Sequence, residues 1–149
     1  MKKRILLPIA ALLCLTLLAG CKFLTRTDFD FDTDSISKAQ KIVVHDAAGN
    51  EKAVLSEEAD LDAFVETVNV GGWKFIKEVP EGLTEAGSFT LWQRETITAL
   101  VGGGETKENE ICTFRIYADG DYLTIETGLI DVSFAIPQST ADYLRGLTA

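Results

Sequence analysis

The chain has 149 residues, 23 of them acidic and 14 basic, for a net charge of −9, with three cysteines and one histidine. So acidic a surface repels nucleic acid and anionic lipid headgroups, and one histidine with so few thiols cannot build the common zinc ligand sets. The length suits a single domain around one core.

Lys2, Lys3 and Arg4 open the chain, residues 5–18 are apolar apart from one threonine and Pro8, and the small residues Ala19 and Gly20 precede Cys21. This is the three-part layout of a secretory signal peptide. A spanning helix needs roughly 20 apolar residues, more than this run supplies.

Leu18-Ala19-Gly20-Cys21 is similar to the lipobox of bacterial lipoproteins, a resemblance that covers residues 1–21. It implies cleavage between Gly20 and Cys21, a diacylglyceryl group on the Cys21 thiol and acylation of the new amine. Two or three acyl chains hold a small domain firmly where one binds marginally. The expected location is the bacterial cell envelope, on a membrane and facing outside the cytoplasm. Loss of the basic leader takes the net charge from −9 to −12. Cys14 leaves with the leader and Cys21 is spent on lipid, so Cys112 has no intramolecular disulfide partner.

Residues 21–38 read as an acidic tether. Asp28, Asp30, Asp32 and Asp34 alternate with other residues in a way that invites a calcium loop. The match fails, because the sixth position is Thr33 or Ser35 instead of glycine and the twelfth is Ala39 or Lys41 instead of glutamate.

Residues 41–44 and 52–55, joined by a turn-rich loop, predict a β-hairpin. Ser56 is placed to cap a helix whose Leu61, Phe64, Val65 and Val68 form one apolar stripe, ended by Gly71 and Gly72. Residues 73–79 predict a strand, broken at Pro80-Glu81-Gly82. Residues 88–101 predict one long or bulged strand, or two, weakest near residues 93–95. Residues 102–110, polar and glycine-rich, read as a mobile loop.

Residues 111–127 predict the clearest hairpin, with Asp119-Gly120 in a two-residue type I′ turn. Its register pairs residues whose numbers sum to 239. Cys112, Phe114, Ile116, Leu123 and Ile125 then share one face, and Thr113, Arg115, Tyr117, Tyr122, Thr124 and Glu126 the other, a separation that a one-residue slip would destroy. Residues 129–136 predict a last strand with Ile130, Val132, Phe134 and Ile136 inward. Pro137 stops it, and Ser139 is placed to cap a terminal helix with Thr140, Tyr143, Leu144 and Leu147 in its stripe.

The expected domain, residues 39–149, is α+β: an antiparallel sheet of five to seven strands, in the order ββ-α-ββ-ββ-β-α, with two helices on one face. This layout loosely resembles small lipid-anchored domains of bacterial exported proteins, a likeness that implies no activity.

No catalytic residue, metal site or cofactor is expected. His45 reads as a turn-edge residue beside Asp46, because no nucleophile is tied to it by a recognisable motif. Cys112 reads as a core residue, and the run from Gly102 to Lys107 lacks the Gly-Lys-Ser/Thr order of a phosphate loop, with Glu105 opposing a phosphate. The candidate binding face carries Arg115, Tyr117 and Tyr122, joined by Trp92 if its strand pairs alongside; aromatic residues with arginine are the composition of a recognition patch. The expected function is a lipid-anchored, non-catalytic binding module for an envelope protein or ligand. The alternatives are a carboxylate-dependent envelope hydrolase and a structural or inhibitory surface protein.

Overall fold

A computed structural model describes residues 33–96 and 106–149. The lipobox, Cys21 and most of the tether lie outside the described residues. One compact unit spans Asp32–Ala149. Its first element is a short helix, α1 (Thr33–Ser37), whose Ile36 is buried, so the last part of the expected tether belongs to the fold.

Seven strands follow: β1 (Lys41–Asp46), β2 (Glu51–Leu55), β3 (Lys74–Ile76), β4 (Glu85–Thr96), β5 (Thr106–Tyr117), β6 (Tyr122–Glu126) and β7 (Asp131–Ala135). Helix α2 (Glu58–Val68) separates β2 from β3, and helix α3 (Gln138–Thr148) closes the chain. The strands form one antiparallel sheet in the order β2-β1-β4-β5-β6-β7-β3. The element order and the α+β class are those the sequence predicts.

Alternation sets which face is covered. Ile42, Val44, Phe89, Leu91, Cys112, Phe114, Ile116, Leu123, Ile125, Val132 and Phe134 are each at most 7 % exposed. Both long helices pack on this side. Phe64 of α2 sits 5.8 Å from the Phe89 ring and 6.3 Å from that of Tyr143 on α3. Trp73 wedges between Phe114 and Phe134, and its indole N–H donates to Val68 O at 2.9 Å. Such aromatic pairs stabilise beyond the area they bury.

The β5–β6 register matches the sum of 239, with Phe114 opposite Ile125 and Ile116 opposite Leu123. Its turn does not match. Gly120 has φ 83, but Asp119 is outside the left-handed region that a type I′ turn requires at both central residues. The strands instead end at Tyr117 and Tyr122, and the Ala118 amide donates to Thr84 O rather than across the hairpin. A four-residue connection centred on the same point preserves the register.

Other boundaries move for identifiable reasons. Helix α2 begins after Glu57, not Ser56, with no side-chain cap; Asn69 at φ 42 ends it, and Gly71 and Gly72 form a short 3-10 turn beyond. Asparagine tolerates the left-handed C-cap conformation that glycine was expected to supply. Pro137, not Ser139, precedes α3. Residues 106–110, expected as loop, are strand: Thr106 to Glu110 pair with Thr96 back to Trp92. Their polarity reflects a ladder running past the helices, not an absence of structure. Ile130 is 51 % exposed, not inward, because it belongs to the turn before β7.

Candidate binding face

The face opposite the helices is built by the residues that alternate with the core. Among the described residues no helix packs on it. Arg115 sits near the end of β5, with Ser88 of β4 and Thr124 of β6 directly across. Glu85 and Glu126 flank it diagonally: Arg115 Nε lies 3.2 Å from Glu85 Oε2, and Nη2 lies 2.7 Å from Glu126 Oε1. Two carboxylates, one from each neighbouring strand, thus pair with one guanidinium.

Next to it, Tyr117 OH and Thr124 Oγ1 are 3.0 Å apart, and Thr124 Oγ1 and Ser133 Oγ are 3.1 Å apart. The chain of hydroxyls crosses β5, β6 and β7. Thr113 Oγ1 bonds Thr90 Oγ1 at 3.2 Å and Glu110 Oε1 at 3.1 Å, continuing the polar lattice toward β4. Tyr122 lies over Gly120, where an added Cβ would come within 2.7 Å of the ring. The two tyrosines and Arg115 therefore cluster at one end of the face.

Trp92 shares that face but not that cluster. It sits opposite Lys41 of β1, four residues along β4 from the Ser88–Arg115 rung, a separation of about 13 Å. Lys41 Nζ is 5.3 Å from the indole centroid, a cation–π arrangement. Lys41 also bonds Glu108, and Arg94 Nε lies 3.4 Å from the same carboxylate. Those two cations, the Lys41 bond first, hold the Glu108 carboxyl below its ordinary value.

The remaining chemistry-bearing groups are dispersed. His45 is the penultimate residue of β1, opposite Ser88 of β4 and Glu51 of β2. Asp46 beside it is engaged in the turn, accepting from the Ala48 and Asn50 amides and from Asn50 Nδ2 at 2.9–3.2 Å. Asn50 is the main reason its carboxyl is pulled below the usual range. Cys112 is buried, and burial pushes its thiol up to about 12, with Glu110 adding repulsion. A thiol so rarely ionised is a poor nucleophile. Among the described residues no group of three His, Cys, Asp or Glu is arranged to hold a metal ion.

Sequence reasoning missed a cleft of about 960 Å³ on the helix side, between α1, the start of β1, α2 and the β4–β5 ladder. Its lining includes Gln40, Leu61, Val65 and Arg94, with Glu58, Asp62 and Glu66 along one wall. The only signal was the four-residue spacing of those acids, which puts them in a row on one helix face. A row on one helix does not place two carboxyl groups across a scissile bond, as glycosidic hydrolysis requires.

No protein-family model matches the chain, and neither a curated protein nor a solved structure is significantly similar to it.

Proposed function

We propose that this chain is a lipid-anchored protein of the bacterial cell envelope, held on a membrane outside the cytoplasm through acyl chains on Cys21. Its folded unit is a non-catalytic binding module. The observation that carries the binding reading is Arg115, held between Glu85 and Glu126 beside Tyr117 and Tyr122 on the face opposite the helices. Side chains already fixed by their neighbours lose little freedom when a partner docks, and aromatic residues with arginine dominate binding energy at interfaces. The chain order supports the anchor reading: a segment of ten residues, with Lys22 and Arg26 balanced by Asp28 and Asp30, separates Cys21 from a compact unit beginning at Asp32.

Two experiments test the two halves. A labelled fatty acid fed to cells is incorporated into the chain, and Cys21→Ser abolishes the label; an unlabelled native chain, or an equally labelled variant, would refute the anchor. A photo-crosslinking residue placed at Tyr122 traps a discrete envelope partner, and Arg115→Ala abolishes the product. The same residue at Asp142, on the helix side, gives none. Equal products from the two positions would refute the binding face.

A further inference from the structure

The turn joining β6 to β7 exposes two aliphatic side chains, Leu129 at 94 % and Ile130 at 51 %. Thr127 and Ile130 pair across it. The Thr127 amide donates to Ile130 O at 3.2 Å, Thr127 Oγ1 donates to the same oxygen at 3.1 Å, and the Ile130 amide donates to Thr127 Oγ1 at 3.4 Å. Gly128 at φ 80 lets the chain reverse within this small loop. Two adjacent aliphatic side chains left in water at a turn tip suit a surface where water is scarce.

The topology says which surface lies within reach. The first rung of β1, Lys41, continues through Trp92 to Glu110. Past that rung the β4–β5 ladder continues to Thr96–Thr106; in the other direction β5 runs to Tyr117, β6 returns to Glu126 and β7 departs again from Asp131. The turn 127–130 is therefore at the same end of the sheet as the start of β1, where the chain enters the fold through α1. Twelve residues lead from Cys21 to Thr33, a reach of at most about 40 Å.

We infer that the turn 127–130 inserts Leu129 and Ile130 into the surface of the bilayer that anchors the chain. This rests on the anchor reading above. A tether so short holds the domain at high effective concentration against the membrane, so two aliphatic side chains suffice for a contact too weak to bind a free protein. The contact is apolar and insensitive to salt, because the acidic domain gains nothing from anionic headgroups. Exposed Asp131, the next residue, keeps the insertion shallow. The sheet then stands with its Tyr117–Tyr122 end directed away from the lipid.

The test supplies an artificial anchor. The chain from residue 22, with an N-terminal hexahistidine tag, is bound to phosphatidylcholine vesicles that contain a nickel-chelating lipid. Leu129→Trp is compared with Asp119→Trp at the opposite end, each against the background of Trp73 and Trp92. The emission added at position 129 shifts to shorter wavelength and is quenched by brominated phosphatidylcholine, at low and high salt alike. That added at 119 does neither, which shows that tryptophan itself is not the cause. Vesicle-bound protein whose added emission at 129 is unaffected by brominated lipid overturns the inference, as does equal quenching at both positions. Because the tag replaces the lipid, neither outcome depends on acylation of Cys21, which the fatty-acid labelling of Cys21→Ser reads separately.

Discussion

Gly87 occupies the point where β4, β1 and α3 meet, and replacing it with alanine tests whether their spacing is as tight as the geometry implies. A Cβ built there would lie 2.3 Å from His45 O, 2.6 Å from Thr148 Cγ2 and 2.8 Å from Thr148 Cβ. Comfortable contacts between carbon atoms begin near 3.5 Å, so α3 and the β1 backbone would each have to retreat by about an ångström. Thr148 can yield at the end of its helix, but the His45 carbonyl is fixed in the sheet by the β1–β4 ladder. Overpacking of this kind costs about 3 kcal/mol, the upper part of its usual range. For a domain of this size that lowers Tm by about 10–15 °C. Gly146→Ala is the matched control. It lies in α3 with nothing within 4 Å of the added Cβ, and relief of glycine's entropy stabilises by about 0.5 kcal/mol. Thermal melts by far-UV circular dichroism, with urea midpoints alongside, compare the two. If Gly87→Ala melts within two degrees or so of the wild type, α3 is not packed against the sheet as described.

Three further outcomes follow from other parts of the fold. Arg145 of α3 donates to Tyr117 O and Gly120 O and pairs with Asp121 and Asp142, tying the β5–β6 tip to the helix. Arg145→Lys, with one compact ammonium, loses most of these bonds and about 1 kcal/mol, and speeds amide exchange at residues 117–122; unchanged exchange would refute the clamp. The Cys112 thiol is raised from 9.0 to about 12 by burial, so in the chain from residue 22 it resists iodoacetamide at pH 8 until urea exposes it. Its raised value favours the folded state fully below pH 9, and that contribution is lost as pH rises from 9 toward 12, while the unfolded thiol ionises and the folded one does not; rapid native alkylation would contradict the burial. Phe64→Ala removes a fully buried ring stacked between Phe89 and Tyr143, costs about 3–5 kcal/mol and shows as a lower urea midpoint at unchanged slope.

The legible parts of the fold were those in which neighbouring residues carry the information. The strands around Asp119-Gly120 sorted themselves into two faces because Cys112, Phe114 and Ile116 alternate without error against Leu123 and Ile125. The register survived a mistaken turn type because a two-residue and a four-residue loop with the same centre produce the same pairing. Residues 106–110 were misread because their partners, Trp92 to Thr96, are ten or more residues away and nothing local marks an exposed polar strand. Ile130 was misread because alternation does not reveal where a turn takes over from a strand.

The candidate face divides in the same way. Pattern alone put Arg115, Tyr117, Tyr122 and Trp92 on one side of the sheet, since a side chain's face is decided by counting in twos along a strand. Which of them are neighbours depends on strand register: Ser88, not Trp92, pairs with Arg115, so the indole lies four residues further along β4, opposite Lys41. The pairing of Arg115 with Glu85 and Glu126 joins three strands, and the cleft draws residues from positions 36 to 106. The sequence by itself determined the strand faces, the two long helices and the α+β order, because apolar periodicity is local. The strand order, the guanidinium clamp and the position of the Leu129–Ile130 turn beside the point of chain entry were decided only in three dimensions, because each depends on pairings between segments far apart in the chain.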